Sequence, residues 1–260
     1  MSALPATALA IPLYDEEALV HGVVADILAV ADRSGLPLRL VLVDNGSRDG
    51  TGRRVDALAA ADPRVRAIHL SANRGYGGGI LAGLAAAWSA SIDGRPVPVL
   101  GWMWGDGQVD PAVLPALAAA VADGAELAHV RRVRRRDGWR RAVVTRVYAA
   151  TVRLLGVDCP DVNGCPKLFR RELLARLDLR AGDWFLDFEA VAGATALGAR
   201  IETRPAVMQP RVAGRSKVAM ATVVEFSANL ARWKLRGWPH GSDPLPPSCY
   251  ARPAGGHHAD

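Results

Sequence analysis

Five apolar runs, each about one strand long, alternate with segments of helical period through the first half of the chain. This alternation constrains the fold more than any other feature. The runs are "TALAIPLY" (7–14), "PLRLVLVD" (37–44), "VRAIHL" (65–70), "VPVLGWMW" (97–104) and "ELAHVRRV" (126–133). Between them lie an amphipathic segment over 15–35 closed by Gly35, a helix starting at Thr51, a Gly-rich turn leading into "ILAGLAAAW", and "DPAVLPALAAAVADG". Strands that alternate with helices at this spacing predict an α/β fold: a largely parallel, Rossmann-like sheet with helices on both faces. Such sheets bind ligands at the carboxyl ends of their strands. The polar clusters 44–49, 73–79 and 106–110 all fall there.

Beyond Arg136 the pattern changes. "GWRRAVVTRVYAATVRLLG" predicts a helix, "DCPDVNGCPKLFRREL" a loop in which Leu168 and Phe169 are core, and a helix follows from about Asp187. A strand over "ARIETRPAVM", the loop "PRVAGRSK" and a last helix over 218–236 complete one domain, 1–236. The Pro-, Gly- and His-rich tail, 237–260, is expected to be disordered, its paired histidines included.

Half of the 260 residues are hydrophobic, enough to bury a full core. No uncharged apolar stretch reaches the roughly eighteen residues of a spanning helix. The short apolar run near the start lacks a basic region before it, so no secretory signal is expected. Three cysteines (Cys159, Cys165, Cys249) match neither a disulfide framework nor a zinc site and suggest a reducing, cytoplasmic setting. The formal charge of +6 favours an anionic partner: nucleic acid, an acidic membrane surface or a phosphorylated substrate. Nearly all of that charge is arginine; lysine occurs at 167, 217 and 234.

"GWMWGDGQVDP" (101–111) holds the most informative single residue, Asp106. Asp-Gly is a common turn dipeptide, and alone the segment would be read as a turn. The neighbouring motifs change that. "IPLYDEE", "LVDNGSRDGT", "NRGYGGGILAG", "GDGQVDP", "DVNGCPKLFRREL", "DWFLDFE" and "RVAGRSK" occur in an order that resembles the family 2 glycosyltransferases, most closely the dolichol-phosphate mannose synthase-like group. The resemblance covers roughly 8–236. It implies a GT-A fold with acceptor-side helices toward the C-terminus. It also implies a nucleotide-diphosphate sugar donor (GDP-mannose or a UDP-sugar), a divalent metal (Mg²⁺ or Mn²⁺), and inverting transfer to a polyprenyl or dolichyl phosphate.

The same resemblance assigns roles to individual residues. Pro12, Tyr14 and Glu16 match the motif that lines the nucleoside pocket, and Asp44 matches the aspartate that hydrogen-bonds base or ribose. Asn45 stands where the family carries a second aspartate. Asn73, Arg74 and Gly75 match the turn beside the nucleotide; the glycines at 75 and 77–79 permit close backbone approach, and a helix N-terminus tolerates phosphate. For Asp44 the structural alternative is a helix-capping turn residue. Family members carry Asp-x-Asp followed by Gln at the fourth strand's end; here Asp106 is the second aspartate, Gln108 the glutamine, and Trp104 replaces the first. Asp106 and the Gln108 amide oxygen, with two diphosphate oxygens, make an acceptable shell for Mg²⁺ or Mn²⁺.

Seven arginines lie in "RRVRRRDGWRR" (131–141), after the fifth strand. The resemblance assigns Arg132 and Arg136 to substrate phosphates rather than to nucleic acid, and Arg211, Ser216 and Lys217 to a loop closing over the diphosphate. Lys167 and Arg170 are further basic candidates. A lipid phosphate acceptor is already a nucleophile at neutral pH, since its second pKa is about 6. An alcohol acceptor needs a base, for which Asp187 and Glu189 are candidates; Asp187 would equally serve as a helix N-cap. The competing functions are the same fold acting on a soluble small-molecule acceptor, and a nucleotide-sugar binder without turnover. A motif does not specify pocket shape, so sugar, nucleobase and oligomeric state do not follow from it. In the last helix Val223, Phe226, Leu230 and Trp233 form one apolar stripe, flanked by Arg232, Lys234, Arg236 and Trp238. That stripe either packs on the domain or rests on the anionic inner face of the membrane.

Overall fold

The computed structural model describes residues 3–133, 159 and 161–209. A seven-stranded sheet runs in the order β3-β2-β1-β6-β8-β7-β9. Its elements, in chain order, are β1 (Thr7–Leu13), α1 (Val20–Ser34), β2 (Leu38–Asp44), α2 (Thr51–Ala61), β3 (Val65–His69) and α3 (Gly75–Ala87). A small hairpin, β4 (Ser91–Ile92) and β5 (Arg95–Pro96), precedes β6 (Val99–Trp102). Then follow a 3-10 turn (Pro111–Val113), α4 (Leu114–Ala122), β7 (Leu127–Val133), β8 (Lys167–Arg170), α5 (Arg171–Arg176), α6 (Leu186–Ala196) and β9 (Ile201–Val207). All strands of the large sheet are parallel except β8, which runs antiparallel between β6 and β7.

The sheet is buried on both faces, and β1 shows how. Ala8 and Ala10 point to a cluster that includes Ile80 and Leu84 of α3 and Phe188 and Val191 of α6. Leu9, Ile11 and Leu13 point the other way, toward Val20, Val24 and Ile27 of α1 and Leu117 of α4. Small residues on one face let α3 approach closely: a Cβ on Gly83 would lie 2.7 Å from the Ala10 Cβ. Large residues on the other face fill the wider gap to α1 and α4. Strand alternation thus decides which layer packs where.

Three expectations change. The first helix begins at Val20 rather than near Asp15. Asp15 adopts φ 53°, and the loop around it is tied to the turn after β2: Asp15 N donates to Ser47 Oγ, Glu16 N to Thr51 Oγ1 and Glu17 N to Asp49 Oδ2. The segment expected as a loop before α5 contains β8, whose Leu168 and Phe169 are fully buried as anticipated. Four residues are too few to show a period. The helix expected from Asp110 opens as a 3-10 turn capped by the Asp110 side chain, which accepts from Ala112 N. The expected helices over 138–156 and 218–236, the loop 210–217 and the tail lie outside the described residues.

Candidate active site

Parallel register brings the strand ends level. Leu13 pairs with Asp44, and Asp44 with His69; on the other side Met103 N donates to Ala10 O, carrying the 104–108 loop to the same edge. Three of the polar loops singled out in the sequence therefore share one edge of the sheet.

On the β1–β3 side the site is a set of interlocked turns. Asp44 ends β2 nearly buried, at 8 % exposure. Its Oδ1 accepts from Ser47 N at 3.0 Å, which closes a side-chain turn and not a helix cap, since the N-cap of α2 is Gly50, while Oδ2 lies 3.2 Å from His69 Nδ1. Pro12 is the penultimate residue of β1; Tyr14 and Glu16 lie on the loop that leaves it. Asn45, in place of the family's second aspartate, uses both ends of its amide. Its Oδ1 accepts from Arg74 N (3.0 Å), and its Nδ2 donates to Gly75 O (2.9 Å) and Asn73 Oδ1 (3.3 Å). Asn73 Oδ1 in turn accepts from Gly75 N at 2.8 Å. An aspartate at this position has no donor for Gly75 O, so the asparagine is matched to this turn. Asn73, Arg74 and Gly75 are exposed at its tip.

The glycines after that turn serve the protein itself. A Cβ on Gly77 would collide with the carbonyls of Ala181 and Asp183, and one on Gly79 would lie 2.9 Å from Asn45 Nδ2 and 3.1 Å from Pro12 Cβ. Gly78 N donates to Gly182 O. The close backbone approach expected of these glycines is used by the 181–183 loop at Gly77 and by Asn45 and Pro12 at Gly79.

Asp106 is half-buried on the loop after β6, with Gly107 at φ 68° beside it. Its Oδ1 accepts from Gln108 N at 3.1 Å, so the turn reading of Asp-Gly also holds. Gln108 is anchored to the far end of the sheet: Nε2 donates to Gln209 O, and Gln209 N donates to Gln108 O. Among the described residues no three His, Cys, Asp or Glu side chains gather as metal ligands. A site with one carboxylate and one amide oxygen does not suit an ion caged by protein alone. It fits Mg²⁺ or Mn²⁺ held jointly with a diphosphate, because these ions take one or two carboxylates and complete their shell with phosphate and water.

The opposite side is built differently, around a buried chain of polar contacts. Lys167 on β8 is fully buried, its Nζ 2.5 Å from Asp187 Oδ1 and 2.7 Å from Gly164 O. Asp187, 1 % exposed, also accepts from the Tyr76 hydroxyl at 3.0 Å, and Tyr76 Oη accepts from Trp104 Nε1 at 2.8 Å. Burial first, then the Asp187 charge, pushes the Tyr76 hydroxyl well above its ordinary pKa, so it stays a donor. Tyr76 stacks on Trp184 with ring centroids 4.1 Å apart. Trp104 lies 5.7 Å from the Arg132 guanidinium, which forks onto Asp161 at 2.6 and 2.8 Å. Burial works against the Asp161 charge, but the hydrogen bonds of Arg132 outweigh it and hold that carboxyl below its usual range.

These contacts revise several expectations. Asp187 is not the N-cap of α6; Phe185 is, and Asp187 lies inside the first turn, paired with Lys167. Lys167 is therefore a buried partner and not a cation presented to substrate. Glu189 accepts from Arg180 N and Ala181 N, both at 2.9 Å, which fixes the 181–183 loop; burial raises its carboxyl pKa. Arg170 donates to the Ala125 and Val121 carbonyls, bracing α4. Arg132 is committed to Asp161, a residue the sequence reading did not single out, as it missed Tyr76 and His69. Tyr76 lay within the quoted glycine motif, but nothing local marks its partner 111 residues away. Arg136, Arg211, Ser216 and Lys217 lie outside the described residues.

A parallel sheet interrupted by one antiparallel strand, with polar loops gathered at the carboxyl ends, defines an α/β class that binds ligands at its strand ends. Comparison with known proteins narrows this class. Residues 8–178 match glycosyl transferase family 2, and the chain belongs to that family. It is 32 % identical over 241 residues to the polyprenol monophosphomannose synthase of Mycolicibacterium smegmatis, covering 89 % of this chain and 88 % of that protein. It is 29 % identical to the undecaprenyl-phosphate mannosyltransferase of Micrococcus luteus, covering 75 % and 82 %. Its fold matches a crystal structure of glucosyl-3-phosphoglycerate synthase from Mycobacterium tuberculosis in complex with Mn²⁺, uridine diphosphate and phosphoglyceric acid. The TM-score is 0.64 at 19 % identity, over 89 % of this chain and 78 % of that one. The fold is GT-A.

Proposed function

We propose that this glycosyltransferase moves a sugar, with inversion, from a nucleoside-diphosphate sugar to a polyprenyl phosphate. The observation that carries the choice of acceptor is the commitment of the two carboxylates that stood as candidate bases. Asp187 is buried against Lys167 and Tyr76, and Glu189 Oε2 accepts from two backbone N–H groups. An alcohol acceptor needs a proton taken from it; a phosphate acceptor is anionic at neutral pH and needs none. The relatives that match over most of their length carry polyprenol and undecaprenyl-phosphate mannosyl transfer in their names, which supports the same acceptor class.

In this reading Asp44, with Pro12, Tyr14 and Glu16, holds the nucleoside, and the Asn73–Gly75 turn flanks it. Asp106 and Gln108 are the residues that would hold a divalent ion. When bound, that ion neutralises charge on the departing nucleoside diphosphate. The chain's own share is positioning. The loop carrying Asp106 is fixed at one end by Trp104 on Tyr76 and at the other by Gln108 on Gln209. Arg136, Arg211, Ser216 and Lys217 are assigned to the phosphates, where charge-assisted hydrogen bonds stabilise the transition state. No helix among the described residues is long and apolar enough to cross a membrane; in this reading the lipid acceptor is met at the membrane surface. The stripe Val223–Trp233 with its flanking basic residues is the proposed contact, at the cytoplasmic face.

A donor screen by thermal shift with Mn²⁺ tests the reading, because a ligand bound to the native state raises the melting temperature. The expected result is stabilisation by one nucleotide sugar and formation of a lipid-linked sugar from polyprenyl phosphate. Transfer to soluble alcohols but not to the lipid phosphate would reject it.

A further inference from the structure

His69, at the end of β3, lies between two carboxylates. Its Nδ1 is 3.2 Å from Asp44 Oδ2, and its Nε2 is 2.8 Å from Asp56 Oδ1 on α2. A neutral imidazole has one N–H and one lone pair, whereas a carboxylate offers lone pairs alone. Both contacts are hydrogen bonds only when the ring is imidazolium. On deprotonation the remaining proton stays with the shorter contact, at Asp56, and a lone pair then faces Asp44.

We propose that His69 is a positioning residue for Asp44: as imidazolium it fixes the carboxylate that receives the nucleoside, so donor binding weakens as the ring loses its proton. This rests on the reading of Asp44 as a nucleoside contact. Asp44 has little other freedom, since Oδ1 is held by Ser47 N and a Cβ on Gly52 would lie 2.7 Å from Oδ2. The charged residues on the strand and helix packed against the ring are Arg39 and Asp44 on β2, and Arg53, Arg54 and Asp56 on α2. Arg54 is paired with Glu17, and α3 carries no charged residue. Arg66, on the ring's own strand, is turned to Ala86 O and Ser89 Oγ. The hydrogen bond to Asp56 and then that to Asp44 outweigh partial burial and raise the ring's pKa above 6.5. The imidazolium therefore persists to higher pH than in an ordinary histidine and is lost as pH rises through the raised pKa.

The test is calorimetric binding of GDP-mannose and UDP-glucose to the full chain with Mn²⁺, from about pH 6 to about pH 8.5, alongside NMR titration of the His69 ring. A nucleotide sugar carries no phosphate monoester, so its own charge stays constant over this range. Wild-type affinity should fall about threefold to tenfold across the range, the loss of one charged hydrogen bond. His69→Gln should abolish the slope. Asp56→Asn, which leaves Asp44 untouched, should move the midpoint to lower pH, and bound nucleotide should move the ring's own midpoint upward by reciprocity. Binding that is flat with pH, or a slope that survives His69→Gln, overturns the proposal and leaves the nucleoside reading standing. Absence of nucleotide binding at every pH removes that reading, and the proposal with it.

Discussion

The two sides of the site are built on opposite principles. Around Asp44, Asn45 and Asn73 the polar groups come from neighbouring turns, and the 73–75 tip is exposed. Around Lys167, Asp187 and Tyr76 they come from three distant segments, are buried, and are consumed by one another. The first arrangement suits binding a polar ligand. The second suits holding a framework: a buried ion pair adds little net stability but fixes which groups meet. In this chain it fixes Trp104, two residues from Asp106, where the family's missing carboxylate would stand.

The sharpest way to break this contrast is to remove one partner of the buried pair. Lys167→Ala leaves Asp187 as an uncompensated buried charge and should cost about 3–5 kcal/mol in chemical denaturation. A double variant with Asp187→Leu should recover much of that loss. If Lys167→Ala unfolds as the wild type does, the pair is not the framework described.

Why one side was legible in the sequence and the other was not follows from the same contrast. Strand ends with polar turns are local, so Asp44, Asn73 and Asp106 could be placed from the strand–helix alternation alone. Gly35 as helix stop and the core role of Phe169 followed equally from local pattern. β8 was missed because its burial depends on insertion between β6 and β7, which only tertiary structure supplies. Lys167 read as a cation for substrate because its partner lies 20 residues on, across the sheet edge. That Gly77 serves the 181–183 loop was hidden for the same reason: the loop is remote in sequence.

A smaller effect is expected at the link between the two sides. Tyr76→Phe keeps the stack on Trp184 but leaves Asp187 Oδ2 and Trp104 Nε1 each one partner short, about 1–3 kcal/mol by thermal or urea unfolding. If the 104–108 loop is positioned through this contact, kcat should fall more than the donor KM rises. Smaller still is Asn45→Asp, which replaces the donor to Gly75 O with a second acceptor. It should cost about 1 kcal/mol and weaken nucleotide binding with little change in kcat. An Asn45→Asp variant that binds donor as the wild type does would mean the 73–75 turn is not part of the nucleoside pocket.

Chemistry, on this account, belongs to the open loops and positioning to the buried network, with Asp106 as the carboxylate that holds metal and diphosphate. The most direct measurement is sugar transfer to polyprenyl phosphate, titrated with Mn²⁺, for the wild type and Asp106→Ala, with melting followed on the same samples. Asp106 is half-buried in a loop, so its loss should leave the melting temperature within a few degrees. The expected result is a folded variant whose Mn²⁺-dependent transfer falls by about a hundredfold or more. A folded Asp106→Ala protein that transfers sugar at the wild-type rate, with the wild-type Mn²⁺ response, would contradict the claim.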